Sequence, residues 1–101
     1  MMENIVMDKA GRKITLRRVG VVEQLRLFKA LGPELSLNGP YMDLAIIAAS
    51  ISMINEIPVP FPASEANVET ILEKLGTDGV AVVDSVLPAP SLMEMADVAG
   101  N

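Results

Sequence analysis

Few residues in this chain are equipped for chemistry. Acid–base work would fall to the thirteen Asp and Glu side chains, the lysines and the single tyrosine, Tyr41. There is no His, so the side chain that titrates nearest neutrality and most often ligates transition metals is missing. There is no Cys, which removes thiolate nucleophiles, disulfides and Cys-held metals together. Ser50 and Ser52 sit in an apolar stretch with no base to activate them. They read as small polar residues bonding to preceding carbonyls. Glu65, Glu69 and Glu73 recur every fourth residue. Such a stripe could hold a cation, but a solvated face opposite Val68, Ile71 and Leu75 explains it. Asp43 opens an apolar helix, either as a partner for the helix dipole or as a buried acid with a displaced pKa. No phosphate-binding loop, dinucleotide fingerprint, nucleophile elbow or metal-ligand cluster is present. The sequence therefore names no catalytic, cofactor-binding or metal-binding residue and predicts a protein that is not an enzyme.

The charged residues are unevenly placed. Residues 1–29 carry seven bases against three acids, and residues 30–101 carry one base against ten acids, for a net charge of −5. Arg12, Lys13, Arg17 and Arg18 cluster in one alternating segment. Lys and Arg on an edge strand protect it from unwanted pairing; the other reading is a docking site for an acidic partner. Nucleic acid fits poorly. With only three aromatic residues there is little to stack on single strands, and the remaining chain repels phosphate.

Those residues need elements to position them. Half of the 101 residues are apolar, enough for one core but not for two. The predicted class is α+β and mainly α: an N-terminal β-hairpin, a bundle of about four short helices, and a short tail. One domain spans 1–87, with the hairpin at 3–19 and the helices within 21–86; 88–101 is a flexible C-terminal tail. The hairpin turns at Lys9-Ala10-Gly11, and Ile14 and Leu16 alternate with Lys13, Thr15 and Arg17, a half-buried strand pattern. Residues 21–31 form a helix with Val21, Leu25, Phe28 and Leu31 on one apolar face, stopped by Gly32-Pro33. Residues 41–54 form a second helix, apolar nearly all round, although a strand remains open for its β-branched residues. Ala45, Ala48, Ala49 and Ser52 would let another helix approach closely. This suits a central helix or one buried in an oligomer interface. Ile57-Pro58-Val59-Pro60-Phe61-Pro62 is a stiff extended connector, or else a polyproline-type ligand. Ser64 caps a helix over 65–75 that ends at Gly76, and a last helix runs roughly over 79–87.

The start of the chain lacks the basic and apolar regions of a signal peptide. The longest apolar stretch, Leu44 to Ile54, has eleven residues where a membrane span needs about 20. The expected location is cytoplasmic, without a membrane partner.

The run Ile54-Asn55-Glu56-Ile57-Pro58-Val59-Pro60-Phe61-Pro62, then Ser64-Glu65, then Glu69 through Leu75-Gly76-Thr77-Asp78-Gly79-Val80, resembles the small tail assembly chaperones of tailed bacteriophages. Leu25-Arg26-Leu27-Phe28-Lys29-Ala30-Leu31 fits the pattern loosely, so the likeness covers about residues 21–86. It implies a mostly helical, non-enzymatic protein acting in the host cytoplasm. Such a protein keeps the tape-measure protein soluble and recruits tail tube subunits, with no cofactor and no active site. On that basis the expected partner contacts are Val21, Leu25, Phe28, Ala45, Ala48, Ala49 and Ser52, with Arg12, Arg17 and Arg18 as basic docking residues. Homo-oligomerisation is compatible with the same surfaces. A structural subunit of the tail or neck, and a small inhibitor or adaptor of a host protein, are the competing expectations.

Overall fold

The computed structural model describes residues 4–87. The predicted flexible tail at 88–101 lies outside the described residues. The element order is β1 (Asn4–Met7), β2 (Lys13–Leu16), α1 (Val21–Ser36), α2 (Gly39–Ala49), β3 (Ile51–Ile54), β4 (Ile57–Pro58) and α3 (Glu65–Val86). The four strands form one antiparallel sheet in the order β1-β2-β3-β4. The architecture therefore differs from the expected one: four strands in place of a lone hairpin, and three helices in place of about four.

The strand difference lies in residues 50–58. The predicted helix over 41–54 stops at Ala49, and the chain turns extended at Ile51. Ile51, Met53 and Ile54 pair with β2 as Leu16↔Ile51, Thr15↔Met53 and Ile14↔Ile54. The register slips by one residue between Thr15 and Leu16, and Ser52 sits at that irregularity, its hydroxyl donating to the Thr15 carbonyl at 3.1 Å. Asn55 and Glu56 then reverse the chain with φ of 51° and 70°. Positive φ at both central residues is what a two-residue type I′ hairpin turn demands. Asn55 tolerates it; Glu56 does so against its preference, and Lys13 supplies the compensation. The Lys13 amide donates to the Asn55 side chain at 2.9 Å, and the Lys13 ammonium pairs with Glu56 at 2.9 Å. The proline-rich segment begins as the short edge strand β4, where a missing N–H is tolerated.

Two of the three helices are bent at glycine. Gly32 (φ 87°) interrupts α1 and Gly76 (φ 70°) interrupts α3. The sequence predicts stops at both positions, followed by a loop over 33–40 and by a new helix from about 79; the backbone does leave helical geometry at Gly32 and Gly76 but resumes it directly, so α1 runs on to Ser36 and α3 to Val86. Side-chain caps start α2 and α3. Asn38 accepts from the Tyr41 amide at 3.1 Å, and Ser64 accepts from the Asn67 amide at 3.2 Å.

The helix α2 lies between α1 and α3, which is why it is apolar nearly all round. Ala45, Ala48 and Ala49 are fully buried, and their small size lets the two flanking helices close on it. The core joins Ile14, Leu16 and Ile51 of the sheet to Leu27, Leu31, Ile47, Val68, Ile71, Leu75 and Val83 of the helices. On α1 the buried face is Gln24, Leu27 and Leu31. The predicted apolar face is thus displaced in part: Leu31 is buried and Phe28 packs against the core, but Val21 and Leu25 are 49% and 59% exposed, and Leu27 takes the core in their place. Among the described residues, no helix is long and apolar enough to cross a membrane.

The two faces of α1 predict opposite costs. Leu27→Ala should lower the free energy of unfolding by about 2–4 kcal/mol, whereas Leu25→Ala should change it by less than about 0.5 kcal/mol. Urea titration of both variants checks this, and a larger loss for Leu25→Ala would reverse the assignment of the buried face.

Candidate functional site

The basic cluster is mostly committed to the fold. Arg12 lies just past the hairpin turn, where the chain doubles back with Gly11 at φ 84°. Its amide and its Nε both donate to the Asp8 carboxylate, at 2.9 and 2.7 Å. Its two terminal nitrogens donate to the carbonyls of Lys74 and Leu75, at 2.7 and 2.5 Å. Those carbonyls close the first half of α3 at the Gly76 bend, where helical acceptors lose their partners and the dipole favours a cation. Gly79 makes room: a Cβ there would stand 3.2 Å from the guanidinium and 3.1 Å from Leu75. The Asp8 side chain is fully covered. Hydrogen bonding to the Arg12 amide holds its pKa below the usual carboxylate value; burial works against this, and the guanidinium adds to the lowering.

Arg17 is committed in the same way. It donates to the carbonyls of Ile51 and Val59 and lies 5.8 Å from the centre of the Phe61 ring. It thereby supplies donors to a segment whose prolines have none, and a cation to the face of an aromatic ring. Of the three arginines expected to dock a partner, only Arg18 stands exposed without an internal role in this arrangement. Ala45, Ala48 and Ala49 are buried within the chain, and Ser52 belongs to β3 rather than to a helix.

The groups available for acid–base chemistry do not converge. The Tyr41 hydroxyl is buried with no hydrogen-bond partner among the described residues. Burial pushes its pKa up, and the charges of Glu65 and Glu69 add to the rise, which makes it a poor base near neutrality. Glu65, Glu69 and Glu73 are exposed, as is Asp43. Among the described residues, no group of three acids is placed to hold a metal ion.

What the structure does assemble is an open, mainly apolar groove on α1. Leu25, Phe28 and Lys29 line it before the Gly32 bend; Pro33, Ser36 and Leu37 line it after. The bend is what brings the two sets together, and the Ser36 hydroxyl, donating to the Phe28 carbonyl at 3.3 Å, braces the second half against the first. Leu37 is 87% exposed. Phe28 is half-buried and forms the floor against the core. Lys29 contributes the charge; Glu23, the acid at the start of the helix, is turned away to accept from the Gly20 amide at 3.0 Å. Of the groove residues, sequence patterning finds Leu25 and Phe28 but misses Leu37 and Lys29. The signal for Leu37 is an apolar residue in the segment 33–40, which the sequence reads as a loop.

Protonation of Asp8 should loosen the tie between hairpin and α3. Because its folded-state pKa is lowered, its contribution to stability is complete above the ordinary carboxylate range and is lost as pH falls through the lowered value. Urea midpoints measured from neutral pH down to about pH 2 should fall more steeply for the wild type than for Asp8→Asn; equal slopes would remove Asp8 from the acid response. No family model, curated protein or solved structure matches this chain, so its function rests on the chemistry of these surfaces.

Proposed function

We propose that this chain is a non-enzymatic protein-binding protein that covers an apolar, helix-forming segment of a client through the groove on α1. The observation that supports this is the placement of Leu25 and Leu37 in solvent around Phe28. An exposed apolar concavity beside a fully formed core is the pattern of helix-in-groove recognition. Val21 and Arg18, at the start of α1 and just before it, are also exposed. The resemblance to the small tail assembly chaperones supplies the client: a tape-measure protein, held soluble in the host cytoplasm while tail tube subunits gather.

A second reading has its own observation. The strand β1 is an open sheet edge with Ile5 and Met7 exposed at 55% and 58%. It carries no proline or lysine to discourage pairing, so a structural tail or neck subunit could use it to extend a neighbour's sheet.

Co-expression with the proteins encoded beside it, followed by affinity capture, separates the two. A chaperone retains a long helical protein and is missing from purified particles. Leu25→Asp and Leu37→Asp, both on the surface, should each reduce that retention by roughly tenfold or more. Full retention by both variants, or the chain at fixed copy number in particles, would overturn the chaperone reading.

A further inference from the structure

The free backbone groups of the edge strand β1 can be assigned one by one. The Asp8 amide donates to the Arg12 carbonyl at 3.1 Å, which marks Asp8 and Arg12 as a hydrogen-bonded pair of the antiparallel ladder. Such pairs alternate, and the register Met7↔Lys13, Val6↔Ile14, Ile5↔Thr15 makes Val6 with Ile14 the next one. Met7 and Ile5 fall in the pairs between, so their N–H and C=O groups point away from β2. The other side of β2 agrees: the Asn55 amide donates to the Lys13 carbonyl at 2.7 Å, so Lys13 turns its backbone towards β3. Ile5 and Met7 also carry exposed apolar side chains, on the face of the sheet opposite Ile14 and the core. Outward donors, outward acceptors and apolar surface thus coincide at the same residues.

Two copies of this edge fit each other in one register. With a twofold axis at Val6, Ile5 of each copy lies opposite Met7 of the other. Each such pair exchanges both N–H···O=C bonds, which satisfies every outward group of Ile5 and Met7. With the axis at Ile5 or at Met7, only that residue pairs, and the other falls beyond the end of the opposing strand Asn4–Met7. The axis at Val6 also makes the cross-strand contacts of the outer face apolar, Ile5 on Met7. Asp8 comes opposite Asn4, so no like charges meet within the described strands. On the inner face Val6, which packs against the core, meets Val6 of the second copy. We propose that this chain forms a twofold homodimer through β1, which joins the two four-stranded sheets into one continuous sheet. A contact of this kind closes on itself and draws its affinity mainly from main-chain bonds. It is independent of the α1 groove, and it consumes the edge that a structural subunit would offer to a different neighbour.

The test is sedimentation equilibrium of the full chain from about 1 μM to about 1 mM. The mass should rise from 10.8 kDa towards twice that value and stop there. Ile5→Pro and Met7→Pro each remove an outward N–H while leaving the ladder to β2 in place. Each should raise the dissociation constant at least about tenfold. Register is read separately by single cysteines, since the chain has none of its own. Val6→Cys brings two thiols together at the axis and should oxidise to a covalent dimer at least about tenfold faster than Ile5→Cys or Met7→Cys. A chain that stays monomeric throughout, a mass that climbs past two chains, or a dimer that both proline variants preserve would overturn the proposal. Should the proline variants lose their amide dispersion, the cysteines decide: faster cross-linking at position 5 or 7 than at 6, or none at all, overturns it.

Discussion

One guanidinium joins the two ends of the described fold. Arg12 grips Asp8 on one side and the last carbonyls of the first half of α3 on the other. The hairpin would be marginal alone, and the bend at Gly76 would leave helical carbonyls unsatisfied. Each defect is repaired by the same side chain. Arg suits this place better than Lys would, because its planar fork can address a carboxylate and two carbonyls at once. Removing it would leave the covered Asp8 carboxylate without its counter-charge, the costlier way to break a buried ion pair. Arg17 repeats the device at the opposite end of β2, tying the proline-rich segment to the sheet. The basic cluster is thus largely a set of internal braces, which leaves the apolar groove as the surface with the stronger chemical character.

What the sequence reveals is mostly local. The N-terminal hairpin, the Gly11 turn, the cap at Ser64 and the breaks at Gly32 and Gly76 all follow from residues acting on their own backbone. The elements that escape are those decided at long range. Residues 51–54 are β-branched and apolar, and periodicity alone does not separate a short strand from the end of a buried helix. The deciding cue was Asn55 followed by Ile57, a turn flanked by strand-formers, but Glu56 masks it because its positive φ is sustained by Lys13 more than forty residues away. The alanines of α2 were legible as sites of close approach; which helices approach was not.

The candidate site shows the same division. The apolar residues along α1 suggest the stripe Val21-Leu25-Phe28-Leu31, whereas the buried side is Gln24-Leu27-Leu31, and packing against α2 decides which residues are spent on the core. Gln24 in the buried stripe makes the choice counter-intuitive from composition. Arg12 and Arg17 looked like surface charges because their long-range acceptors are backbone carbonyls, which a sequence does not display as partners. Leu37 could not be placed before the Gly32 bend was known, since it joins the groove only through that bend.

The sheet is made from two hairpins separated by a pair of helices, and β2 meets β3 across about forty residues, as in the pairing Ile14↔Ile54. That spacing has a consequence for synthesis. The first hairpin is synthesised before its sheet neighbour and has none to pair with until residue 54 has followed, and Arg12 finds its helical acceptors only once Leu75 has appeared. At typical elongation rates of about 5–20 residues per second, the nascent hairpin waits for seconds with its inner edge open. Completion is then a late, concerted closure rather than a progressive one. The hairpin is thus made before the elements that secure it, which puts its period of greatest aggregation risk during synthesis.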